Sequence, residues 1–130
     1  MSDNPNLAVQ ARFAAAVMAG DMATLEELSH PEMVLTQGAG TAYPGTYRGY
    51  AGFLEFLGKF AAALDIDSIE TTRIFHGDDP GALVCEFDLR SKHKATGQRY
   101  DTTLMELWEF KDGKVIRIKP HYFDKPGARP

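Results

Sequence analysis

Apolar residues recur at helical spacing through most of the first half of this chain and at alternate positions through the second. From Asn6 to Ala19, Leu7, Ala11, Ala14, Ala15 and Met18 fall on one side of a helix, and Val9, Phe13 and Val17 widen the stripe. Gly20 can close that helix in the left-handed conformation, and Asp21 can cap a shorter one carrying Met22, Leu25 and Leu28. His30-Pro31 stops it. Met33 to Gln37 reads as a short strand with Met33, Leu35 and Gln37 on one face. The loop from Gly38 to Gly49 contains Gly40, Pro44 and Gly45 besides its end residues, a composition expected to exclude regular structure, although Tyr43 and Tyr47 on it could line an opening. From Tyr50 to Leu64 the spacing of Phe53, Phe56, Leu57, Phe60 and Leu64 predicts a third helix with an aromatic face.

Strands follow: Ile66 to Phe75, Ala82 to Arg90, and a long hairpin from Thr102 to Asp124. His76 to Gly81 and Ala95-Thr96-Gly97 punctuate them. In the second of these strands Leu83, Cys85, Phe87 and Leu89 face one way, and Val84, Glu86, Asp88 and Arg90 the other. The hairpin turns at Lys111-Asp112-Gly113-Lys114, where Asp-Gly supplies the positive φ angles of a tight turn. Helices first and strands last in one small domain predict an α+β fold, with three N-terminal helices packed on a strongly curved, mixed or antiparallel sheet. The twist of such a sheet leaves a cone-shaped space beneath the helices, an enclosed pocket.

The first arm of the hairpin places Leu104, Glu106, Trp108 and Phe110 on one face and Thr103, Met105, Leu107 and Glu109 on the other. Glu106 is thus a carboxyl group in an apolar row. Burying it ionised and alone is costly, so it must be protonated, face a cavity, or pair with a cation such as Arg90, Arg99 or Lys119. Unpaired, it could donate a proton or hydrogen bond to a carbonyl, or act as a general base. His121 and Tyr122, adjacent on the last strand, point to opposite faces, and Pro120 invites a bulge that would shift their phase.

Composition narrows the partners. The 130 residues carry a net charge of −4 with no basic cluster, which argues against nucleic acid and anionic membrane surfaces. Cys85 is the single cysteine, so there is no disulfide framework or thiolate metal site. His30, His76, His93 and His121 lack ligand spacing, and neither a metal nor a cofactor is expected. The apolar run from Phe13 to Ala19 is far short of a membrane span, the start Met1-Ser2-Asp3-Asn4-Pro5 has no signal-peptide character, and the Lys125 to Pro130 tail reads as loose. A cytoplasmic protein is expected.

The order of helix, Gly-Asp break, helix, strand, Gly-rich loop and aromatic helix, followed by strands ending in Trp108-x-Phe110-x-Asp112-Gly113-Lys114-Val115 and Pro120-His121-Tyr122-Phe123-Asp124, resembles the NTF2-like superfamily. Within it the chain is similar to the SnoaL-like group, which includes polyketide cyclases and relatives of ketosteroid isomerase. Against the isomerases, Gln37 stands where the resemblance implies an aspartate base and Phe13 where it implies a tyrosine donor. Glu106 matches the carboxylic acid kept protonated to bind an oxyanion, and matching the Asp-Gly turn to the isomerase pattern implies that Ile118, Pro120 and Tyr122 face inward and His121 outward, unless a bulge at Pro120 shifts the phase. Ketosteroid isomerisation by that mechanism is therefore not expected.

Two functions follow as expectations. One is a pocket protein for a small, largely apolar carbonyl compound, an isomerase, cyclase or hydrolase using Glu106 as acid or base. Gln37, Tyr122, Trp108, Phe13, Tyr47, Phe56 and Phe87 would contact the ligand, in a cavity of the several hundred cubic ångströms usual for such sites. The other is a non-catalytic binding or scaffold protein. In either case the resemblance implies a homodimer, and the outer sheet face, with Val84, Met105 and Leu107, is apolar enough to form its interface.

Overall fold

The computed structural model describes residues 4–124. The tail read as loose, Lys125 to Pro130, lies outside the described residues. Helix α1 (Asn6–Ala19) ends at Gly20, whose φ of 69° lets its N–H reach back to the carbonyls of Ala16 and Val17. Asp21 then caps α2 (Met22–Leu28). Its Oδ1 accepts the Thr24 N–H at 3.2 Å and its Oδ2 accepts the Thr24 hydroxyl at 2.7 Å, and these bonds hold the Asp21 carboxyl below its ordinary range. The buried face of α1 differs from the expected one. Gln10, Phe13 and Ala16 point inward, while Ala11, Ala15 and Met18 are exposed. Alanine fits either side of a helix, and the single bulky aromatic sets the rotation.

The six strands run in the spatial order β2-β1-β6-β5-β4-β3, where β1 is Ser29–Gln37, β2 Gly45–Arg48, β3 Leu64–Phe75, β4 Ala82–His93, β5 Thr102–Lys111 and β6 Lys114–Tyr122. The sheet is mixed. β1 lies parallel to β6, pairing Leu35 with Ile118, and every other neighbour is antiparallel. The loop expected to hold no regular structure carries β2, which folds back on β1 with Gln37 opposite Gly45 and Val34 opposite Arg48. Thr46 and Tyr47 suit a strand, and the edge of β1 offers the partner that local composition does not reveal. β1 also starts four residues earlier than its apolar alternation suggests.

Asp112 and Gly113 take φ values of 56° and 74° at the β5–β6 turn, as the Asp-Gly pair implies. The bulge in this hairpin falls between Val115 and Arg117, opposite Glu109 and Phe110, not at Pro120. Ile118 and Pro120 are therefore buried and His121 is exposed. Further register shifts in β3 bend the long strands.

Helix α3 (Gly49–Ala63) follows β1 and β2, so the three helices do not form one N-terminal block. It lies against β1 with Phe53 and Phe56 buried. Gly52 lets it come close: a Cβ there would stand 2.9 Å from the carbonyl carbon of Tyr47. Phe13 joins α1 to both layers, edge-on to Phe53 at 5.1 Å and to Trp108 at 5.4 Å between ring centroids.

Candidate functional site

Between α1, α3 and the concave face of the sheet lies a cavity of about 110 Å³. Of the residues expected at a ligand site, Glu106, Gln37, Tyr122, Trp108, Phe13, Phe56 and Phe87 line it. Tyr47 does not: it is buried, and its hydroxyl donates to the Tyr43 carbonyl at 2.9 Å, which fixes the loop before β2. The cavity is also smaller than expected. Phe56 and Phe60 stack at 5.4 Å, and Tyr43 packs edge-on against both, so the aromatic face of α3 fills much of the cone. Nor is the cone sealed, because its lining includes the exposed side chains of Met18 and Thr71.

Glu106 is the one ionisable carboxyl in this wall. Its neighbours across the strands are Cys85 on β4 and Pro120 on β6. Neither can neutralise it: burial and the field of Glu106 push the Cys85 thiol up to about 12, and proline carries no N–H. The pairing with a cation weighed from the sequence does not occur among the described residues. Arg90 binds Asp88 at 3.0 Å, Arg99 binds Asp67 and Asp101, and Lys119 lies on the outer face. Glu106 instead accepts the indole N–H of Trp108 at 2.9 Å. Burial pushes its carboxyl up to about 7, with the Trp108 bond pulling the other way. At neutral pH such a group is near half-protonation and can give or take a proton.

Tyr122 faces inward, and its hydroxyl meets that of Tyr43 at 3.0 Å. Burial raises the pKa of both phenols above the ordinary tyrosine range, with Glu106 adding to the effect. Both remain neutral, hydrogen-bonding groups at any ordinary pH. Tyr43, 1% exposed, was expected to line an opening; it is not on the cavity wall and instead braces Tyr122 through its hydroxyl, a contact that nothing local in the Gly-rich loop foretells. Thr71 of β3, on the lining, is the polar residue that sequence reasoning missed, because β3 is largely exposed. Among the described residues no group of three His, Cys, Asp or Glu side chains could hold a metal ion, and no helix is long and apolar enough to cross a membrane.

The family model for the SnoaL-like domain matches residues 10–118. The chain belongs to the SnoaL-like family. No curated protein matches the sequence. Among solved structures this SnoaL-like chain is similar to an NTF2-like protein from Burkholderia xenovorans, at 19% identity and a TM-score of 0.83, covering 99% of this chain and 97% of that one. It is similar to Bal32a, from a soil-derived mobile gene cassette, at 23% identity and a TM-score of 0.75, covering 92% and 90% of the two chains. A protein of Catenulispora acidiphila with a ketosteroid isomerase-like fold, crystallised with trimethylamine, matches at 12% identity and a TM-score of 0.72 over 88% of this chain and 84% of that one. At these identities the likeness establishes the fold.

Proposed function

We propose that this SnoaL-like protein binds a compact, largely apolar carbonyl compound and acts on it through Glu106. The observation that carries the reading is a carboxyl group in an apolar cavity, without a cation and held by a single indole N–H. Protonated, Glu106 can hydrogen-bond a carbonyl oxygen and stabilise negative charge that develops there. Ionised, it can remove a proton from the carbon next to that carbonyl, leaving an enolate and a neutral carboxylic acid that can return the proton elsewhere. Tyr122 and Gln37, on the same wall, would orient the ligand. A cavity of about 110 Å³ suits a single small ring, since an engineered apolar cavity of roughly 150 Å³ takes up benzene.

Hydrogen–deuterium exchange at the α-carbon of cyclopentanone and of cyclohex-2-enone in D₂O tests this without knowledge of the natural substrate. Exchange above the buffer rate that disappears in Glu106→Gln is the expected result. Binding without exchange would favour the non-catalytic reading, which the crowding of the cone by Phe56 and Phe60 supports. Absence of both would refute the pocket reading.

The same proposal includes a homodimer through the outer sheet face, where Val84 lies opposite Leu107 and both are only half-buried. Ion pairs frame this stripe, Arg73 with Glu86 and Arg117 with Glu109. Sedimentation at micromolar concentration should show a dimer that Leu107→Arg converts to a folded monomer.

A further inference from the structure

Gln37 is 4% exposed and lines the cavity, yet its amide oxygen is fully buried and receives no hydrogen bond among the described residues. One other buried side-chain atom shares this state, Nε2 of Gln10 on α1, but Gln10 is not part of the cavity wall. No polar group nearby donates to that oxygen. The Tyr122 hydroxyl pairs with that of Tyr43 at 3.0 Å and accepts from the Gln37 side chain, the Trp108 indole N–H is given to Glu106, and Thr71 lies at the opposite edge of the sheet, on β3. A buried acceptor without a donor is costly in the protein alone, and a ligand that brings the donor recovers that cost. Such a site rejects the analogue that lacks the donor far more strongly than an apolar wall rejects an extra polar group.

The geometry points to Gln37 as a specificity-determining residue that selects ligands carrying an N–H or O–H donor in addition to the carbonyl: a lactam, an imide or a hydroxy-ketone rather than a plain ketone. The inference rests on the carbonyl-ligand reading above and adds the second group. It explains why an amide can occupy this wall position: the residue recognises the ligand, and proton transfer is left to Glu106.

Two rings of nearly equal size test it. 2-Pyrrolidinone carries a carbonyl and an N–H, whereas cyclopentanone has a methylene in place of the N–H. Dissociation constants for both are measured by NMR titration on the wild type and on Gln37→Met, which keeps the length of the side chain and removes the acceptor. The wild type should favour the lactam, relative to the ketone, at least about tenfold more than Gln37→Met does. In the wild type alone, the lactam should shift the Gln37 side-chain amide resonances and the ketone should leave them in place, a readout that survives if the variant misfolds. Equal relative preference in the two proteins, or Gln37 resonances indifferent to the lactam, overturns the role of Gln37 while the pocket reading stands. Failure of both rings to bind the wild type overturns the pocket reading and this inference with it.

Discussion

The indole N–H of Trp108 reaches two residues back along β5 to the carboxylate of Glu106, at 2.9 Å. Both side chains lie on the same face of the strand because its residues alternate, so the bond is built into the Glu-x-Trp spacing and needs no help from the rest of the fold. Being the donor that favours the ionised form, Trp108 restrains the rise caused by burial. Trp108→Phe should therefore move the Glu106 midpoint further up, by about one pH unit as expected for losing a hydrogen bond to a charged group. Carbon-13 NMR of the Glu106 carboxyl reads this directly, and an unchanged midpoint would deny the bond its electrostatic role.

Glu106 should also leave a signature in stability. Its ordinary value of 4.5 rises to about 7 on folding. Below pH 4.5 the group is protonated whether the chain is folded or not, and it costs nothing. Between 4.5 and 7 the folded protein keeps a proton that the unfolded chain has lost, so this contribution to stability falls as pH rises. Above 7 the penalty is complete, at most about 3 kcal/mol. Glu106→Gln should match the wild type in urea denaturation at pH 4 and exceed it at pH 8. Parallel behaviour across that range would mean the carboxyl is better solvated than its place in the wall indicates.

The Tyr43–Tyr122 hydroxyl pair ties the glycine-rich loop to the last strand at 3.0 Å. Removing either hydroxyl leaves the other buried without this partner, so Tyr43→Phe and Tyr122→Phe should each destabilise. The double variant should cost less than the sum, with a coupling energy of about 1 kcal/mol. Additive losses in a denaturant cycle would show that the two oxygens do not depend on each other.

Much of this arrangement was legible in the sequence because it is local. Alternation within β5 puts Glu106 in the same row as Leu104 and Trp108, and Asp112-Gly113 sets the turn; the inward phase of Tyr122 came from the family resemblance, because plain alternation from the turn gives the opposite face and the bulge between Val115 and Arg117 reverses it. What escaped depends on partners distant in the chain. β2 exists because β1 presents an edge to it, and the parallel pairing of β1 with β6 has no local mark. The rotation of α1 was ambiguous because six alanines among its residues fit either a core or a surface. Tyr43 and Tyr47 both stand off the cavity wall for a related reason: in a loop no periodicity tells which side chain points inward. The small size of the cavity follows from how the aromatic rings of α3 pack, and spacing alone does not fix that.

Two glycines of α3 should respond in opposite ways to the same substitution. Gly58 is exposed with open space around its missing Cβ, whereas a Cβ at Gly52 would collide with the Tyr47 backbone at 2.9 Å. Gly58→Ala should stabilise the protein by up to about 1 kcal/mol through helix propensity. Gly52→Ala gains the same propensity and should nevertheless lose about 2 kcal/mol or more, as overpacking does. Thermal melts of the two variants decide the matter, and stabilisation by both would show that α3 can lift off β2 at little cost.

The parallel seam between β1 and β6 also bears on synthesis. Phe13 and Gln37 leave the ribosome long before Glu106, Trp108 and Tyr122, and until β6 emerges the inner edge of β1 has no strand to pair with. The apolar wall of the cavity is then exposed on a nascent chain whose local contacts cannot close it. Chaperone dependence should accordingly be set by the time taken to translate the β3 to β6 segment, and slowing translation there would lengthen the interval in which the unfinished protein can aggregate.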